Sequence, residues 1–383
     1  MKNCKAKILL SALFLCASFS LAAYEVGELS PDFVLNFAAP ARSPLMKGYM
    51  PEVLASLEPS DVFFIDYYSS EYIPLDGHGY INLFGGLQFR MPYLAIYGFG
   101  GLIARPLNIW DKDEKFITIG KVTEGGGGGG LSLKIRYFSL SAFVMYNQIK
   151  IEFEERNSFS PDYNADDYRA EGSEIIWSVN PDIYMNKIPY LRQVFRLLKG
   201  FIALDNYGFT PNYMAHLYFR DIEFEKFTLD VSVFSSSNWY NYEAKTNKYG
   251  VKASFDYGRI FGGDFFCRAS IEGGYQNFFD LLLPNDPLYG DGVFIKISGD
   301  FGMFFGDIGG FGMQIFFEFE KPQNWRPTFG FVFSLKGGSF GGIGLWNRLN
   351  YRPDPFETSE RYAEITEAGF KYRFGSAYFD LFR

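Results

Sequence analysis

Between Val293 and Lys336 apolar residues take every second position through three successive runs, with polar residues or glycine between them. Val293, Ile295, Ile297, Phe301, Met303 and Phe305 share one parity, and Lys296, Ser298 and Asp300 share the other. Phe311, Met313, Ile315, Phe317 and Phe319 alternate with Gly312, Gln314, Glu318 and Glu320, and Phe329, Phe331, Phe333 and Leu335 with Thr328, Ser334 and Lys336. Side chains on a strand point alternately to its two faces, so each run predicts a strand with one oily and one wet face. The pattern recurs at Ile81 to Phe89, Leu131 to Tyr137, Phe227 to Val233, Val251 to Tyr257 and Phe265 to Tyr275. With weaker segments near Tyr93, Leu140, Ile175, Phe201, Tyr213, Gly341 and Ala363, the count reaches about 14 to 16 strands.

Two stretches depart from this pattern. Residues 1–22 carry Lys2, Lys5 and Lys7, then the apolar run Ile8 to Phe19, then small residues ending at Ala22, which predicts a cleaved secretory signal. Residues 23–60 hold Pro31, Pro40, Pro44, Pro51 and Pro59 and do not alternate, predicting a non-strand insert or cap with a short helix from Pro51 to Glu58. Residues 61–383 form the strand-bearing domain. The six glycines 125–130 read as a flexible loop or strand edge, since no Lys-Ser or Lys-Thr pair follows to make a phosphate cradle.

Composition narrows the environment. Loss of residues 1–22 removes three lysines and no acid, moving the formal net charge from −8 to −11, which argues against a nucleic-acid partner. It also leaves Cys267 alone, so no intrachain disulfide forms. Aromatics make up 20% of the chain, there are 41 glycines, and mean hydropathy is only −0.07. Strict alternation hides an oily face from such an average. No segment after the signal has the roughly 18 apolar residues of a membrane helix, so a closed barrel is the remaining way to cross a bilayer. A soluble β-sandwich would show the same alternation with the phenylalanine face as its core. Abundant aromatics and glycines favour the barrel.

These features together resemble the bacterial outer-membrane β-barrel class. The resemblance implies an all-β, transmembrane, antiparallel up-and-down barrel after a short N-terminal non-strand segment, placed in the outer membrane after cleavage near Ala22. It further implies membrane lipid, periplasmic chaperones, the barrel-assembly machinery and small solutes as partners, and no cofactor. In size the chain is similar to general porins and to the long-chain fatty-acid transporters, which also carry an N-terminal insert. Asn36-Phe37-Ala38-Ala39-Pro40 does not match the latter family's Asn-Pro-Ala pattern, so no binding residue carries over. The chain ends on Arg383 after Phe382, and clean alternation stops at Phe374, where the closing strand is expected to end.

The wet face supplies the candidate lumen residues: Lys134, Arg136, Asp230, Lys252, Asp256, Arg268, Glu272, Lys296, Asp300, Glu318, Glu320, Lys336, Lys371 and Arg373. Such a set lines a water-filled passage for small solutes or pairs across the lumen to hold the wall. The rival readings are a non-conducting surface adhesin or structural barrel, and a transporter of hydrophobic substrates. The acidic segment Glu154 to Glu174 and the Pro- and Asp-rich segments Leu282 to Gly292 and Arg352 to Glu360 read as external loops. Asp162, Asn164 and Asp166 have the spacing of a calcium loop, but Asp167 replaces its glycine and Ser173 its bidentate glutamate, so a solvated acidic loop is the better reading. His78 and His216 are isolated, and no hydrolase or zinc-protease motif is present, so the chain reads as a non-enzyme.

Overall fold

The computed structural model describes residues 45–55, 57, 61–73, 81–90, 93–110, 116–153, 169–206, 211–225, 227–239, 244–260, 265–280, 291–305, 309–320, 327–337, 341–353 and 362–375. Among the described residues, helix α1 (Met46–Ala55) precedes strands β1 (Asp61–Ile73), β2 (Ile81–Arg90), β3 (Leu94–Trp110), β4 (Phe116–Lys134), β5 (Phe138–Phe153), β6 (Arg169–Ile183), β7 (Phe195–Asp205), β8 (Asn212–Phe219) and β9 (Ile222–Glu223). The second half runs β10 (Phe227–Trp239), β11 (Ala244–Ile260), β12 (Phe265–Asp280), β13 (Gly292–Phe304), β14 (Gly309–Glu320), β15 (Pro327–Gly337), β16 (Gly341–Pro353) and β17 (Tyr362–Gly375).

Each strand pairs antiparallel with its sequence neighbour, and β1 pairs with β17, which closes the sheet. The short β8 and β9 occupy one position against β10, so the barrel has 16 staves. Closure removes every sheet edge, and a chain without disulfides needs that if lipid surrounds it.

Burial alternates as the sequence pattern requires. On β12, Phe265, Cys267 and Ile271 are exposed on the outside, while Phe266, Arg268 and Ser270 are buried inside. The outer wall is a continuous apolar surface, with Leu83, Leu87, Val144, Val251, Ile271, Ile297 and Phe317 all turned outward. A soluble sandwich would bury this face, so that rival fold is excluded.

Glycines set the inner face. Phe64 lies opposite Gly86, Phe84 opposite Gly101, Phe234 opposite Gly250, Phe266 opposite Gly302 and Phe316 opposite Gly330. A Cβ at Gly330 would come within 2.3 Å of the Phe316 ring, and one at Gly302 within 2.5 Å of Phe266. Each ring therefore lies across its glycine, covering backbone that has no side chain of its own. The run 125–130 corrects the loop expectation. It is the middle of β4, fully paired with β3 and β5, and a Cβ at Gly126 would sit 2.0 Å from the Tyr146 carbonyl oxygen. Close backbone approach and ring cover outweigh glycine's poor strand propensity here.

The two ends of the barrel differ. At one end the strands join through 91–93, 135–137, 261–264, 305–308 and 338–340; at the other through 74–80, 154–168, 281–291 and 354–361. The short-turn end has one long connection, 184–194, built from two 3-10 turns with Tyr190 at φ 72°. β17 ends at Gly375, one residue past Phe374.

Candidate functional site: a helix inside the barrel

Helix α1 lies inside the barrel and is largely buried: Met46, Lys47, Gly48, Tyr49, Met50, Pro51, Val53 and Leu54 are buried, Glu52 is half-buried and Ala55 is exposed. The expected helix from Pro51 to Glu58 is therefore displaced toward the N-terminus, and Pro51 lies in its interior rather than its first turn. Contacts with the wall account for the shift. The Met46 amide donates to Glu124 Oε2 at 3.3 Å, fixing the start, and the Pro51 carbonyl accepts from Asn180 Nδ2 at 3.5 Å. Glu124 also places negative charge at the positive end of the helix dipole.

The apolar side of α1 packs on the inner face of β1 to β6. Met46, Tyr49, Met50, Val53 and Leu54 join Phe64, Phe84, Phe99, Phe143, Met145 and Ile176 in one cluster, with Phe316 and Val332 from the far wall. Ring centroids follow one another across the wall at 6.0 Å from Phe64 to Phe84, 5.5 Å to Phe99 and 5.9 Å to Phe143. Tyr49 meets Phe84 edge-on at 6.3 Å. Gly101 gives this contact its room, since a Cβ there would lie 3.2 Å from Met46 Cε. Each such buried side chain contributes about 1.5–3 kcal/mol. Burial, with Asp66 nearby, pushes the Tyr49 phenol well above its ordinary value, so it stays neutral.

Polar groups hold the helix from two other directions. Lys47 Nζ donates to Asp205 Oδ2 at 2.7 Å, with both side chains 2% exposed. Asn147 Nδ2 donates to Glu174 Oε1 at 2.8 Å and to Glu124 Oε2 at 3.4 Å, and Arg105 stands 3.7 Å from Glu124 Oε1. On the adjacent strands β1 and β17, the buried Asp66 pairs with Lys371 at 3.8 Å and with Arg373.

The opposite wall, β10 to β15, satisfies its charges without α1. Arg268 pairs with Asp300 at 2.5 Å, and Gln314 donates to the other Asp300 oxygen at 2.7 Å. Lys248 bridges Glu318 and Glu320, each at 3.0 Å, and Gln276 donates to Glu320 at 3.1 Å. The Lys248 ammonium lies 4.8 Å from the Phe294 ring centroid and that of Lys296 4.4 Å from Phe316. At the short-turn end Arg196 binds Asp221 and Asp230, each at 2.7 Å. Register shifts in β7 and between β8 and β9 insert one extra residue on each and bring Arg196 and Asp221 together.

The sequence-predicted set is thus distributed unevenly. Asp230, Arg268, Lys296, Asp300, Glu318, Glu320, Lys371 and Arg373 point into the barrel and make the contacts above. Lys252 and Glu272 are half-buried register partners, and Asp256 is half-buried opposite Arg268. Lys134 is half-buried at the end of β4, 5.8 Å from the Tyr184 ring. Arg136 departs from the expectation: β4 ends at Lys134, and Arg136 is exposed in the turn that follows, where strand alternation no longer applies. The Lys336 side chain lies outside the described residues, as do Asp162, Asn164, Asp166 and His78. The external-loop expectation for Glu154 to Glu174 is corrected at its end, because β6 begins at Arg169 and Glu174 is buried inside the barrel. His216 bonds Ser232 at 2.8 Å and Tyr218 at 3.1 Å. The residues missed by sequence reasoning are those around the helix: Lys47, Asp66, Arg105, Glu124, Asn147, Glu174, Asn180 and Asp205. Inward parity would have found the wall members, but no local motif marks them.

No protein-family model and no curated protein match the sequence. Among solved structures, CdiB from Acinetobacter baumannii is similar over 82% of this chain at 10% identity and TM-score 0.41, and this chain spans 60% of its length. The Ralstonia pickettii toluene transporter TbuX is similar over 92% of this chain and 100% of its own, at 9% identity and TM-score 0.40. A Pseudomonas aeruginosa FadL homologue is similar over 89% and 98%, at 12% identity and TM-score 0.33. Overlaps this loose say nothing about the site, whose reading rests on its own geometry.

Proposed function

We propose that this protein is an outer-membrane channel for small solutes whose passage is closed by α1. The observation that carries the reading is a helix, α1, inside a closed wall, which it meets through side-chain contacts and a few hydrogen bonds. The apolar exterior suits lipid, and the short-turn end takes the periplasmic side by the rule for this class. With α1 displaced, a solute would meet apolar rings on β1 to β5 and a charged, internally paired wall on β10 to β15. That combination suits a small solute with both apolar and polar parts.

Liposome swelling tests the reading. Intact protein and a variant lacking residues 45–55 are refolded, and heat-modifiable gel mobility is used to verify closure of both barrels. The variant should admit small sugars and amino acids at a rate well above the intact protein. A folded variant as impermeable as the intact chain would overturn the channel reading in favour of a structural or adhesive barrel.

A further inference from the structure

The way α1 is held points to the chemistry of the solute. Glu124 on β4, Glu174 on β6 and Asp205 on β7 are buried together at the N-terminal end of the helix, against the single guanidinium of Arg105. Lys47 and the Met46 amide supply the donors they bind. Asn147 on β5 ties Glu124 to Glu174 through its amide nitrogen, and it is completely buried while its Oδ1 has no hydrogen-bond partner. The Asn147 oxygen is thus an acceptor in the pocket that α1 does not use. Among the described residues no group of His, Cys, Asp and Glu is placed to hold a metal ion. The geometry therefore favours an organic cation. Once α1 leaves, the Phe84, Phe99 and Phe143 rings that Met46, Tyr49 and Met50 cover offer a greasy bed beside the carboxylates.

We propose that Lys47 stands in for the solute's own cation: the Glu124, Asn147, Glu174 and Asp205 site binds a primary ammonium on an apolar chain, and such a solute displaces α1 by competing for it. The proposal rests on the channel reading above and adds the substrate class. An ammonium donates three hydrogen bonds, enough for Asp205, which Lys47 engages in the seated state, and for the Asn147 oxygen and a neighbouring glutamate. Binding that favours the displaced state over the seated one shifts the helix out, and a ligand indifferent to the two states shifts nothing.

The test uses the mature full-length chain in lipid vesicles, with Cys267→Ser and a reporter Met50→Cys, whose position is completely buried when α1 is seated. The rate of labelling by a membrane-impermeant thiol reagent is measured with hexylammonium, hexanol or hexanoate at equal concentration. Hexylammonium should accelerate labelling about tenfold, a shift within the usual range of ligand coupling, and the other two should not. Glu174→Gln removes one carboxylate of the site and should abolish most of the acceleration by hexylammonium, read as the ratio to that variant's own unliganded rate. Equal acceleration by hexanol, or none by hexylammonium, would overturn the cation site while leaving the swelling assay to judge the channel separately. Rapid labelling without any solute would show that α1 does not seat in the lumen, which overturns both readings.

Discussion

The two halves of the inner wall obey one rule and reach different states. Both alternate strictly, and both lay phenylalanine rings over cross-strand glycines. On β10 to β15 several large charges find partners on the wall itself, Lys248 with Glu318 and Glu320 and Arg268 with Asp300. On β1 to β7 α1 covers the aromatic rings and joins the carboxylates, Lys47 pairing with Asp205 and the Met46 amide with Glu124. A wall that satisfies itself lines a passage; a wall that needs a plug marks where the passage closes.

The largest break in this comparison comes from removing one lysine in each half. Lys47→Met leaves Asp205 buried without its cation, a loss of about 3–5 kcal/mol, and amide exchange of Gly48 and Tyr49 should accelerate by about 10²–10³ or more. Lys248→Met leaves two carboxylates on a part-exposed wall that water can reach, and it should cost about 1 kcal/mol or less with no change in α1 exchange. Equal effects at the two sites would erase the distinction between a completed and an incomplete wall.

The second test asks whether the self-satisfied half has its faces assigned correctly. Ile271→Arg places a charge on the outer face and should lower unfolding stability in lipid by about 2–4 kcal/mol if it lies near mid-bilayer. Ser270→Arg enters the lumen and should cost less. A bilayer-soluble maleimide should label Cys267 faster than a charged aqueous one, and the reverse order would show the faces exchanged.

The smallest test concerns the ring and glycine joints common to both halves. Gly330→Ala drives a methyl toward the Phe316 ring and should cost about 1–3 kcal/mol in urea unfolding of the folded barrel. Gly98→Ala meets nothing within 4 Å and should be neutral or stabilising by about 0.4–1 kcal/mol. Matching losses at both would mean that the rings are not what the glycines accommodate.

Much of the wall was legible in the sequence because a period of two runs through most of the strands, and Phe265, Cys267 and Ile271 against Arg268 and Ser270 need no tertiary information. The position of the closing strand was legible for the same reason, through Phe370, Tyr372 and Phe374. The plug was not. Its helix contains Pro51 in an interior turn, so local propensity placed the start at the proline, whereas Glu124, distant in sequence, sets it at Met46. Six consecutive glycines read as a loop because their partners, the β5 carbonyls and Phe143, lie on another strand. Glu124, Glu174 and Asp205 stand alone in sequence, and only the register of β4 to β7 gathers them. Arg196 and Asp221 meet through two bulges, each a one-residue slip that no alternation count reveals.

The central claim is that α1, latched by Lys47, closes an otherwise open barrel, and single-channel recording in planar bilayers tests it most directly. Intact protein and Lys47→Met should show the same unit conductance, with the intact channel closed for most of the record and the variant open for most of it. Identical open fractions in two demonstrably folded proteins would contradict the account.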